Sequence, residues 1–188
     1  MHYTQGNPGV GTGGWVTDQR NVGEYIQADL QTLTYLYAID TRSQSNYNHW
    51  VRSYKLKYGL TSEESDFQYV TSSEGSELFI GNTNRDSIVR NTFPTILTRY
   101  FRLVVQSWNI HIGLRWELYG CNIKCTADEI PNSDVTESQS VFVGSTVEYR
   151  CNTGFAFEPP VALGVLTATC LNTGYLDVDP SAHSCIGM

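Results

Sequence analysis

Five cysteines, four histidines and 19 carboxylates are the side chains of this 188-residue chain with the most chemistry to offer. The cysteines stand at 121, 125, 151, 170 and 185, none of them in the first 120 residues. Spacings of 26, 19 and 15 residues after Cys125 contain no C-x-x-C pair, and His183 is the only histidine among them. Zinc ligation therefore yields to a two-disulfide module. A segment of about 60 residues cannot easily hold itself together by core burial alone, which is the physical reason for such staples. Catalysis has no better footing. No serine or cysteine sits in a nucleophile-elbow setting, and no H-E-x-x-H occurs. Geometry rather than spacing would define a glycosidase pair, and carboxylates in a small β domain are mostly solvated surface, so no enzyme is expected. Gly9, Gly11 and Gly14 match G-x-G-x-x-G. A phosphate-binding loop needs a strand before those glycines and a helix after them. Polar residues precede them here and Trp15 follows directly, so a Gly-rich loop is expected and no cofactor is implied.

The elements that would position any site are read from pattern. With 40% hydrophobic and 16% charged residues, the chain is too apolar and too weakly charged to be disordered. No apolar run approaches the ~18 residues of a membrane span. The first residues lack the basic and apolar regions of a signal peptide; the cysteine content then suggests a piece of a larger secreted or cell-surface protein. A net charge of −7 argues against nucleic acid as the main partner. That charge is unevenly divided: residues 1–121 hold 10 basic and 11 acidic side chains, residues 122–188 only 2 against 8. Two domains follow, 1–121 and 125–185, with a boundary near Asn122-Ile123-Lys124. Short runs rich in β-branched and aromatic residues, bounded by turn residues, predict strands over 25–30, 35–41, 51–58, 67–70, 78–80, 100–105 and 114–119. In the second part 146–151, 155–157 and 166–170 read the same way. No window sustains a 3.6-residue apolar period, so the chain is expected to be all-β, a sandwich or barrel.

Six ordered segments carry a more specific likeness: Gly14-Trp15, Tyr25–Leu30, Trp50–Leu56, Phe79–Asn84, Thr98–Leu103 and Ile112–Cys121. Over them the first domain resembles the coagulation factor V/VIII type C family, the discoidin domains. The resemblance implies an eight-stranded antiparallel jelly-roll β-barrel. Members of that family begin some tens of residues earlier, with a strand and a cysteine that pairs with the closing cysteine. On that comparison the first strand is missing here and Cys121 is unpaired. Residues 125–185 look like a complement control protein (sushi) module through Val143–Cys151, Gly154-Phe155 and Thr169-Cys170, with Gly174-Tyr175 where a tryptophan is usual. That likeness implies the pairs Cys125–Cys170 and Cys151–Cys185.

In discoidin domains ligands meet loops at one end of the barrel. By resemblance these are 16–20, 43–50, 71–76 and 108–111, with part of a first loop near 3–9. The ligand-binding candidates are Arg20, Arg42, Asn46, Tyr47, His49, Asn109 and His111. Amide, phenol and imidazole groups suit a hydroxylated or peptide ligand, and the arginines suit a carboxylate or phosphate. Simpler roles stand beside these. Trp15, Trp50, Trp108 and Trp116 fit a barrel core, and Arg99, Arg102 and Arg115 fit structural pairs with Asp29, Asp40 or Glu117. Residues 82–86 read as a turn before a cation site. The polar tips at 43–46 and 72–75 disfavour the lipid wedge of the clotting members. The acid expected in the 16–20 loop for binding a C-terminal arginine is replaced by Arg20, with Asp18 nearby. The function expected is a non-catalytic extracellular binding or adhesion module pair for a protein or glycan. The alternatives are a phospholipid-binding module and a carbohydrate-binding module of a larger enzyme.

Overall fold

The computed structural model describes residues 13–44, 47–158, 160–161 and 164–187. It divides into two compact units, Met1–Cys121 and Asn122–Met188, each with its own apolar core.

The strands of the first unit are β1 (Trp15–Val16), β2 (Tyr25–Arg42), β3 (Trp50–Gly59), β4 (Gln68–Tyr69), β5 (Phe79–Ile80), β6 (Val89–Asn109) and β7 (Gly113–Asn122). They form one seven-stranded sheet in the order β1-β7-β2-β6-β3-β4, with β5 also on β3. Sequence pattern splits β2 into two strands and misses the first half of β6; each is one long, bent strand. In β2 the advance from Asp29 to Thr34 faces only the step from Tyr100 to Thr98. The surplus residues form a bulge in which Gln31 takes φ 70° and its N–H donates to Asp29 Oδ1 at 2.8 Å. Such a bulge bends a strand without ending it. A second register shift, Leu36–Ala38 against Ile96–Thr92, accommodates Pro94, which has no N–H to give a ladder. The two long strands run antiparallel along nearly their whole length, from Tyr25 opposite Val104 to Thr41 opposite Val89.

That core is largely aromatic. Tyr54, Phe79, Phe93, Phe101 and Trp116 make consecutive ring contacts at 5.9, 6.3, 5.9 and 6.3 Å, with Leu56, Leu103 and Val105 fully buried around them. Trp15, Trp108 and Trp116 pack on this core, as their apolar bulk suggests. Trp50 is only half-buried, with its indole N–H enclosed and without an acceptor among the described residues. Burial holds the Tyr54 phenol protonated, and its oxygen accepts from Asn91 Nδ2 at 2.9 Å.

The second unit has three two-stranded ladders: β8 (Lys124–Ala127) with β9 (Gln139–Phe142), β10 (Thr146–Arg150) with β12 (Val165–Thr169), and β11 (Phe155–Glu158) with β13 (Ser184–Gly187). β8, β9 and β13 escape the sequence pattern because they are short and half polar. Disulfides reach two of them: Cys125 of β8 joins Cys170, and Cys185 of β13 joins Cys151, each with Cα atoms 5.5 Å apart. Both pairings are those the sushi likeness implies. Tyr149 is fully buried and donates its hydroxyl to the Asp128 carbonyl at 3.0 Å. Cys121 is a free, exposed thiol.

Candidate binding surface

Specific bonds tie the described ends of the 43–49 loop and the turn after β6. Loop 43–49 joins β2 to β3 and is closed at its base by Gln44 N–H donating to the His49 carbonyl at 3.1 Å. Buried Ser43 donates to the Arg85 carbonyl at 2.8 Å, and Arg115 Nε donates to the Ser43 carbonyl at 2.7 Å. Between β6 and β7 the chain turns within three residues. His111 N–H donates to the Asn109 carbonyl at 2.6 Å, and Ile110 between them has φ 59°. A β-branched side chain is strained there, and Ile110 is also 65% exposed. Gly113 is required beside it: a Cβ at that position would lie 2.9 Å from the His49 Cβ and 3.0 Å from the Gln44 Cβ.

These loops bring three of the candidates together. The Tyr47 and His49 rings stack at 5.3 Å with 12° between planes, and His49 meets His111 at 5.4 Å and 36°. His49 Nδ1 lies 3.2 Å from Gln44 Oε1, and His111 Nδ1 lies 3.3 Å from the Ile112 carbonyl. With the Gln44 Oε1 and Ile112 carbonyl oxygens as acceptors, the matching tautomer of each neutral ring has its proton on Nδ1, which leaves Nε2 as an acceptor. Partial burial, then the cost of charging it beside the His111 imidazole and the Arg20 guanidinium, hold the His49 proton affinity below the usual imidazole value. Arg20 thus belongs electrostatically to this cluster. The surface offers an exposed phenol ring, two imidazole acceptors and one guanidinium: a platform for hydroxyl donors beside an anion-attracting corner.

The other candidates fall differently. Asn109 is a brace: its Oδ1 accepts from Arg52 Nη2 at 2.5 Å and its Nδ2 donates to the Asn48 carbonyl at 2.8 Å. Arg42 lines a depression with Asp40, Arg115, Trp116 and Glu117, whose lining does not include Tyr47, His49 or His111. Asn46, the 3–9 segment and Gly9–Thr12 lie outside the described residues. Gly14 is followed by strand β1 and not by a helix, so the G-x-G-x-x-G match lacks the element that would face a phosphate.

Two structural readings need correction. Arg99 does pair with Asp29, at 3.0 Å, but Arg102 pairs with Glu64 and Gln27 and lies between the Phe67 and Tyr25 rings. Asp40 is taken by Arg90, with Nε at 2.7 Å and Nη2 at 2.8 Å from its two oxygens. Arg90 lies in the half of β6 that the pattern missed, which is why it was not a candidate partner. Residues 82–86 do turn: Asn84 Oδ1 accepts from the N–H groups of Asp86 and Ser87. Among the described residues no three histidine, cysteine or carboxylate side chains gather as a metal site, and no helix is long and apolar enough to cross a membrane.

A bent antiparallel sheet, followed along the chain by a disulfide-stapled module, agrees with the family comparisons. The F5/8 type C domain matches residues 3–118 and the Sushi repeat (SCR repeat) matches residues 123–181. The chain belongs to the F5/8 type C domain family and carries a sushi repeat after that domain. It is 28% identical to retinoschisin of Mus musculus over 112 residues, covering 59% of this chain and 50% of that protein. Neuropilin-1 of Homo sapiens is 32% identical over 117 residues, covering 58% of this chain and 12% of that protein. The chain thus spans about half the length of retinoschisin and much less of neuropilin-1. The solved structure of recombinant discoidin II from Dictyostelium discoideum superposes with a TM-score of 0.52 at 25% identity, covering 77% of this chain and 59% of that one. The fold is accordingly of the discoidin jelly-roll type.

Proposed function

We propose that this chain is a non-catalytic extracellular binding module pair whose first unit recognises a glycan or protein ligand through its loop end. The observation that carries this reading is the Tyr47–His49–His111 stack, with both Nδ1 atoms against oxygens and both Nε2 atoms unbonded among the described residues. Paired acceptors next to an exposed ring suit a ligand rich in hydroxyl or amide donors. The disulfides of the second unit suit an oxidising compartment, and family membership supports a binding role. A glycan and protein array on the full chain, followed by calorimetry, tests the reading. Tyr47→Ala and His111→Ala should each weaken the ligand found by about 1–2 kcal/mol if they are anchors. Unchanged affinity in both variants, with the fold intact, would move the site elsewhere.

One observation favours phospholipid as a second reading: Ile110 is an exposed apolar residue at a loop tip, which the polar tips at 43–46 and 72–75 are not. One isoleucine supplies only about 1.5–3 kcal/mol on burial, and stable membrane attachment takes two signals. Sedimentation with phosphatidylserine vesicles at low salt should therefore show little binding. Strong binding that Ile110→Asp abolishes would reverse the ranking.

A further inference from the structure

The depression lined by Asp40, Arg42, Arg115, Trp116 and Glu117 lies on the wall of the sheet, where the end of β2 runs beside β7, and has a volume of about 250 Å³. Asp40 is 6% exposed and fully engaged, accepting two bonds from Arg90 and one from Tyr119 Oη at 3.0 Å. Arg90 is held in turn over the Tyr119 ring, 4.2 Å from its centroid. The Asp40 carboxylate is therefore already paired, with Arg90. Arg115 is anchored through Nε to the Ser43 carbonyl, which leaves its two Nη groups unbonded among the described residues. Neither Arg42 nor Arg115 has a carboxylate within 4.0 Å among those residues, although five other arginines of the chain do. Glu117 shares the depression and likewise makes no ion pair among the described residues.

We propose that this wall depression is a second binding site, separate from the loop end, for the carboxylate of an acidic sugar residue. Two guanidiniums that make no direct ion pair among the described residues, set at one concavity, match a planar carboxylate, whose oxygens accept their N–H groups. The free carboxylate of Glu117 has only acceptors to offer. Against the two guanidiniums it leaves one net positive charge for a ligand, and its oxygens accept hydroxyl protons, so a monoanion carrying hydroxyl groups fits better than a bare or multiply charged anion. A volume near 250 Å³ admits a single residue and not a chain.

Calorimetry or chemical-shift titration of the full chain with sialyllactose, lactose and acetate tests the assignment. Sialyllactose should bind, and lactose and acetate should bind at least tenfold more weakly. Arg42→Gln should reduce sialyllactose affinity about tenfold. The Arg42 side chain makes no hydrogen bond among the described residues, so that variant should keep the fold. Arg115→Gln should do the same, with thermal melting to show that loss of the Ser43 bond has not unfolded the unit. Tyr47→Ala should leave this binding unchanged, which separates the wall from the loop end. Equal affinity for sialyllactose and lactose, or an unchanged affinity in Arg42→Gln, overturns the proposal. Equal affinity for acetate overturns its sugar component. A loss confined to Tyr47→Ala would return acidic sugars to the loop end and leave the wall without a ligand.

Discussion

At the scale of single residues, protonation is the most testable property. His49 binds its proton less readily in the native state than in the unfolded chain. Its native contribution to stability is present above pH 6.5 and is lost as pH falls through its depressed native value. The same protonation converts the Nε2 acceptor into a donor and adds charge beside His111 and Arg20. Affinity for a hydroxyl-donating ligand should therefore fall across the same window. Asp29, Asp40 and Glu64 are held below the usual carboxylate range by Arg99, Arg90 and Arg102 respectively. Their stabilisation is complete above their unfolded values and disappears only as pH drops below about 4. Denaturant midpoints measured from pH 7.5 to 3 should thus fall in two steps, a shallow one and then a deeper one. His49→Gln should remove the shallow step alone; a midpoint flat from pH 7 to 5 in the unsubstituted protein would contradict the arrangement.

At the scale of elements, the sheet depends on close approach and on its aromatic line. A Cβ on Gly120 would stand 2.1 Å from the Tyr35 carbonyl oxygen and 2.7 Å from Leu36 Cδ2. The first obstacle is backbone, so Gly120→Ala forces β7 away from β2 and should cost about 1–3 kcal/mol. Phe101 is fully buried between Phe93 and Trp116, and Phe101→Ala should cost about 3–5 kcal/mol. Urea unfolding followed by tryptophan fluorescence measures both. If the Gly120 variant matched the parent, the close pairing of β7 with β2 would be in doubt. Legibility at this scale was uneven. The centres of β2, β3 and β7 were plain in their apolar and aromatic runs. The union of 25–30 with 35–41 was not, because it depends on Asp29 capping the Gln31 N–H inside a bulge. The first half of β6 was hidden by Pro94, a residue that reads as a break until a register shift gives it a place.

At the scale of the whole molecule, the two units rest on different physics. The first has a continuous core built around Phe101, Tyr54 and Leu103, and among the described residues it contains no disulfide. The second has a small core around Tyr149 and Phe157 and two disulfides spanning 45 and 34 positions. Replacing the Cys151–Cys185 pair by serines should destabilise the second unit by about 2–5 kcal/mol. Calorimetry should show its transition lowered while that of the first unit keeps its midpoint. A common shift of both would mean that the units unfold as one.

Composition and order along the chain were enough to determine the all-β class, the change of charge and cysteine content near residue 121, and the likeness to two extracellular families. Those properties depend on residue type and on neighbours in sequence, which the chain displays directly. The placement of the candidate side chains is different in kind. Asn109 reads as a ligand donor until its amide is seen holding Arg52 and Asn48. Arg42 reads as a loop residue until β7 sets Arg115 and Glu117 beside it. Tyr47, His49 and His111 become one surface only because two turns meet across 62 positions of chain. Bulges and register shifts fix which distant residues meet, and their effect accumulates over whole strands. Only the folded sheet could decide those neighbours.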